Sequence, residues 1–132
     1  MWRRRLGVVV LGAALVAAGL GAVHSFSVVS VAGGSMAPAL LPADVVLVMR
    51  TRDVSRGDIA LLASPSGSRY LHRIVHVDTA GSVETRGDAN EIDDFDPTPR
   101  GRILGRVVRV VPAGTVLMRW RRSRLYATLT AQ

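Results

Sequence analysis

The chain has 132 residues, with 17 basic against 10 acidic side chains, a net charge of +7 and no cysteine. That length suits one modest domain, and the lack of cysteine excludes disulfides, thiolate zinc sites and a cysteine nucleophile. Every basic residue is an arginine, so a Ser–Lys dyad is excluded, and any serine chemistry must take histidine or a carboxylate as its base. Two each of Phe, Tyr and Trp leave few platforms for stacking bases, so the positive charge is not read as nucleic-acid binding.

Residues 1–5 are Met-Trp-Arg-Arg-Arg, and residues 6–23 then run without a charge. As a helix that run would span about 27 Å, close to the roughly 30 Å hydrocarbon core of a bilayer. The run is longer than a usual signal-peptide core and ends in no A-x-A site. We therefore expect a retained transmembrane anchor in the plasma membrane. The preceding arginines place the N-terminus in the cytoplasm and the rest of the chain outside.

Beyond the anchor, residues 24–32 are small or β-branched and predict an extended segment. Gly33-Gly34-Ser35-Met36-Ala37-Pro38 follows, and Pro38 with Pro42 excludes a long regular helix there. Strands are predicted at Asp44–Met49, Asp58–Ala63, Arg69–Asp78, Ser82–Arg86 and Ile103–Val111. Ser55-Arg56-Gly57, residues 64–68 and Thr79-Ala80-Gly81 supply turns. Alternation along the third of these strands places Tyr70, His72, Ile74 and His76 on one face, and Leu71, Arg73, Val75 and Val77 on the other. Residues 87–102 read as a loop carrying five of the ten acidic residues: Asp88, Glu91, Asp93, Asp94 and Asp96. The expected class is mainly β. The expected division is an n-region at 1–5, an anchor at 6–23, an extracytoplasmic β domain at 24–114, and a basic tail at 115–132. That tail is either a short amphipathic helix on anionic lipid or a solvated segment.

Ser35 sits in a glycine-flanked turn, where a small hydroxyl is accessible. It becomes a nucleophile only if a base takes its proton. Among three histidines, His72 lies in mid-strand and is held more rigidly than a loop residue. A carboxylate of the acidic loop would orient it. The plainer readings are a simple turn, a satisfied strand histidine and a solvated loop. A calcium loop is excluded: Asp88-x-Asn90-x-Ile92 has an EF-hand's opening spacing, but an apolar third ligand position, no glycine and no final Glu. No metal or cofactor is expected. Arg-Gly-Asp occurs at 56–58 and again at 86–88, too weak a signal in an arginine-rich chain to imply adhesion.

Four blocks appear in the order found in type I signal peptidases: Gly34-Ser35-Met36-Ala37-Pro38, Arg56-Gly57-Asp58-Ile59, His72-Arg73-Ile74, and Thr85-Arg86-Gly87-Asp88-Ala89-Asn90 followed by Asp93-Asp94. The chain resembles the endoplasmic-reticulum, archaeal and spore-former branch, in which histidine replaces the bacterial lysine. The resemblance covers roughly residues 1–114. It implies a small signal-peptidase β domain behind one transmembrane helix, cutting signal peptides from exported preproteins at the outer membrane face. It implies Ser35 as nucleophile, His72 as general base and Asp94 as the triad acid. Asp88 is the second choice, or a residue shaping the site, and Asp58 would be structural. Two departures stand out. Gly33 occupies a position where the family usually has a serine whose hydroxyl helps bind the oxyanion, and no second span follows the domain. A membrane-anchored binding or assembly module with a degenerate site is the alternative reading. A peripheral domain held on anionic lipid by its tail is another.

Overall fold

The computed structural model describes residues 2–114 and 116, and of the helix side chains those of residues 2–12 and 22 are not described. The expected tail lies outside the described residues, apart from Val116. Helix α1 (Trp2–Ser25) leads into six strands: β1 (Phe26–Ser30), β2 (Val45–Met49), β3 (Ile59–Ala63), β4 (Arg69–Val77), β5 (Val83–Arg86) and β6 (Ile103–Val111). Five match predicted strands to within a residue at either end, and β1 falls inside the expected extended segment. Among the residues whose side chains are described, which leave out 2–12 of α1, no helix is long and apolar enough to cross a membrane.

The strands form one antiparallel sheet in the order β1-β2-β6-β3-β4-β5. The hairpins β1–β2, β3–β4 and β4–β5 are local in sequence. β6 enters between β2 and β3 and joins them, with Arg106 opposite both Met49 and Ala60. At this junction both pairings shift register, and the backbones crowd. A Cβ on Gly105 would stand 2.5 Å from the Met49 carbonyl oxygen and 2.6 Å from Val48 Cγ1. Glycine is needed there for the close approach.

Two apolar clusters flank the sheet. One gathers Val31, Met36, Leu40, Val46, Val48 and Leu61, and the other Ala60, Leu62, Ile74, Val83 and Ile103. Strand β3 explains both. Its centre, Ala60-Leu61-Leu62, is buried without interruption, Leu61 facing the first cluster and its neighbours the second. Such an unbroken apolar run marks a strand covered on both faces. The first cluster holds the Ser35 turn, because Met36 and Leu40 beside it are 2% and 0% exposed. Asp44 closes that turn. Its buried carboxylate accepts from the backbone N–H groups of Leu41 and Gly114, each at 2.8 Å.

The alternation expected along β4 fails beyond Ile74. A register shift lies between Ile74 and His76, and the extra residue of such a bulge reverses the faces after it. Tyr70, Ile74 and Val77 therefore share the second cluster, and His76 is exposed rather than aligned with His72.

Candidate active site

His72 lies on β4 opposite Ala60 of β3, at the margin of the second cluster. Its ring stands edge-on to Tyr70, 5.2 Å between centroids. It is the least exposed of the three histidines. His24 and His76 are exposed, and His24 Nδ1 lies 2.9 Å from the Leu20 carbonyl of its own helix. His72 Nδ1 lies 2.6 Å from Asp94 Oδ2, with the two side chains 12% and 26% exposed. An ionised carboxylate only accepts hydrogen bonds, so Nδ1 carries the hydrogen, and the neutral ring keeps a lone pair on Nε2.

Asp94 is held from strand β5. Its backbone N–H donates to the Thr85 carbonyl at 2.8 Å, and the Thr85 hydroxyl donates to Asp94 Oδ2 at 2.5 Å. Further along, Thr98 exchanges backbone hydrogen bonds with Val83, and its hydroxyl lies 3.2 Å from the Tyr70 hydroxyl. The acidic loop predicted at 87–102 has no strand of its own, yet it is pinned at several points.

Gly87 is where the serine turn meets the histidine. A methyl group on Gly87 would stand 2.6 Å from the Ser35 carbonyl oxygen, 2.9 Å from Asn90 Nδ2 and 3.1 Å from His72 Nε2. These three groups, from the serine turn, the acidic loop and β4, converge on one buried glycine. The Ser35 carbonyl is fixed further by the Ala89 N–H at 2.8 Å. The bare edge of Gly87 lets the turn and the base approach, and any larger residue would force them apart.

Asp88 turns elsewhere. Both of its oxygens bind Arg73, at 2.8 Å from Nε and 2.6 Å from Nη2, and Arg73 Nη1 donates to the Gly57 carbonyl at 2.8 Å. The Arg73 guanidinium is held above its ordinary value, chiefly by the hydrogen bond to Asp88, with burial opposing and the charge of Asp88 adding. This bidentate pair clamps the start of the acidic loop to β4 and the 55–58 turn. Of the two candidate acids, Asp94 is brought to His72 and Asp88 is engaged with Arg73. Asp58 accepts from the Ser55 N–H at 2.9 Å and closes the turn before β3.

Beside Ser35 opens a mostly apolar cleft of ≈ 290 Å³, lined among others by Val29, Val31, Gly33, Met36, Tyr70 and Leu71. Two backbone edges border it. Among the described strands β1 pairs only with β2, and the first half of β4 extends beyond β5, whose pairing begins at Arg73. Among the described residues no group of His, Cys, Asp or Glu could hold a metal ion.

The sequence profile of the family described as signal peptidase, peptidase S26, matches residues 3–94. The chain belongs to this signal peptidase family. The match includes Ser35, His72, Asp88 and Asp94, and ends at the carboxylate bound to the histidine. No curated protein matched the chain. The sequence reading gave no role of their own to Thr85 and Gly87. For Thr85 there was a signal: on a strand with the burial pattern of β5, it is a polar residue at an inward position beside Val83. The packing of the serine turn and of His72 against Gly87 explains why that residue has to be bare.

Proposed function

We propose that this protein is a membrane-anchored serine endopeptidase that removes signal peptides from exported preproteins, and that it belongs to the Ser-His-Asp branch of its family. The observation that carries the reading is the 2.6 Å bond from His72 to Asp94, with His72 Nε2 and the Ser35 backbone converging on Gly87. His72 Nε2 takes the proton of Ser35 Oγ as the oxygen attacks the scissile carbonyl. Asp94 keeps the ring in the productive tautomer and stabilises the imidazolium. The imidazolium then protonates the leaving amine, which departs as the new N-terminus of the mature protein. A water molecule, deprotonated by the same nitrogen, hydrolyses the acyl-enzyme and releases the signal peptide.

The substrate lies extended in the cleft and adds its backbone to the free edges of β1 and β4. Small side chains before the scissile bond fill the shallow apolar space between Val31, Met36 and Leu71. The oxyanion is held by backbone N–H groups, that of Ser35 and a neighbour, because Gly33 offers no hydroxyl.

Helix α1 is the proposed anchor. Its 24 residues give a length of about 36 Å, and the uncharged run at 6–23 follows three arginines. With the N-terminus cytoplasmic and the sheet outside the plasma membrane, enzyme and signal peptide are confined to one surface, which raises their effective concentration.

Ser35→Ala and His72→Ala should each abolish preprotein cleavage in membranes, while melting as the parent does. Normal processing by Ser35→Ala would overturn the proposal. Gly33 favours one other reading, a membrane-anchored binding or assembly module with a degenerate site. Trapping an acyl-enzyme on Ser35 by acid quench and mass spectrometry separates the two, since a degenerate site forms none.

A further inference from the structure

The geometry points to Thr85 as a positioning residue for the reaction, a fourth member of the chain of hydrogen bonds that runs through His72 and Asp94. The inference rests on the peptidase reading above and deepens it. Thr85 is 1% exposed, on β5 opposite Ile74. Its hydroxyl donates to Asp94 Oδ2, the same oxygen that lies 2.6 Å from His72 Nδ1. Its carbonyl receives the Asp94 N–H. One residue thus fixes both the backbone and the carboxylate of Asp94.

The chemistry requires such a device. Asp94 sits in a loop and a quarter of its side chain is open to solvent, so water competes for its oxygens. A carboxylate free to rotate about its last torsion would present Nδ1 with a changing acceptor. The tautomer with hydrogen on Nε2 would then gain population, and in that form the ring cannot take a proton from Ser35. A hydroxyl hydrogen bond to a charged group, buried on the donor side, holds the carboxylate in one orientation. Thr85 meets the need from a strand, and it is not among the residues that line the cleft.

The test uses the full chain in detergent micelles with a synthetic preprotein. Thr85→Val keeps the shape and removes the donor. It should lower kcat about tenfold or more, the size of one charge-assisted hydrogen bond, with KM unchanged. Thr85→Ser and Thr85→Ala lose the same methyl and differ only in the hydroxyl. Thr85→Ser should retain most of the rate and Thr85→Ala should match Thr85→Val, whatever packing costs they share. Proton NMR should show the downfield His72 Nδ1–H resonance in the parent and Thr85→Ser, and a shifted or broadened signal in Thr85→Val. Equal kcat for Thr85→Ser and Thr85→Ala would overturn the assignment. Asp94→Asn tells this failure from a failure of the reading beneath it. An inactive Asp94→Asn with a fully active Thr85→Val condemns the role of Thr85 alone, whereas a fully active Asp94→Asn condemns the triad itself.

Discussion

A histidine base works only while its ring is neutral, and the bond from Nδ1 to Asp94 leaves Nε2 as the working nitrogen. In the proposed mechanism, protonation fills the lone pair that would take the Ser35 proton. The rate kcat/KM should therefore fall about tenfold per pH unit on the acid side. A profile that stays flat on the acid side would count against His72 as base. Gly33 makes a second prediction of opposite sign. Nothing lies within 4 Å of a Cβ placed there, so a serine fits. If the oxyanion is held by backbone alone, Gly33→Ser adds a donor and should raise kcat, by up to about the 10²–10³ that one such donor contributes elsewhere. An unchanged kcat would mean that the hole is already complete. At this scale the sequence was legible where chemistry narrows the choice. With no Lys, no Cys and three histidines, few groups could serve as base. The choice between Asp88 and Asp94 was less legible, because both lie in one loop and only the fold sends one to Arg73 and the other to His72.

At the scale of the elements, the site depends on how closely the Ser35 turn and strand β4 approach across Gly87. Gly87→Ala puts a methyl 2.6 Å from a backbone oxygen, nearer than such atoms pack, so the turn or the acidic loop must move. Misplacement by about an ångström can cost on the order of 10² in rate, so Gly87→Ala should lose at least that much in kcat. Its crystal structure should show the Ser35 carbonyl displaced from the Ala89 N–H. Full activity would show that the approach is not needed. The strands themselves were largely readable, because β-branched runs broken by Gly, Pro, Ser and Asp leave little choice of boundary. The bulge after Ile74 was not. It exists because β5 pairs with β4 out of step, a property of two strands together that alternation within one cannot reveal. The same holds for the pinned acidic loop, whose partners Thr85, Val83 and Tyr70 are given by the fold and not by its own polar composition.

At the scale of the molecule, the serine and the histidine belong to different halves of the sheet. The Ser35 turn joins β1 to β2, and His72 rides on the β3–β4–β5 meander. Sequence periodicity gave no hint that β6 would come between them, since strand order is decided by pairing across long stretches of chain. In the proposed mechanism, that placement decides when the site can assemble. β6 is made after every other described strand, and no described strand but β6 links β2 to β3. During synthesis, the half bearing Ser35 and the half bearing His72 emerge first but lack their common seam. Catalytic power would then arrive late, at the emergence of residues 103–111, after α1 and the rest of the sheet have left the ribosome. A chain stopped at residue 102 should carry Ser35, His72 and Asp94 yet cleave nothing, and its β4–β5 amides should exchange freely with solvent. On the proposed reading, the strand order leaves the site unassembled until β6 joins the two halves of the sheet.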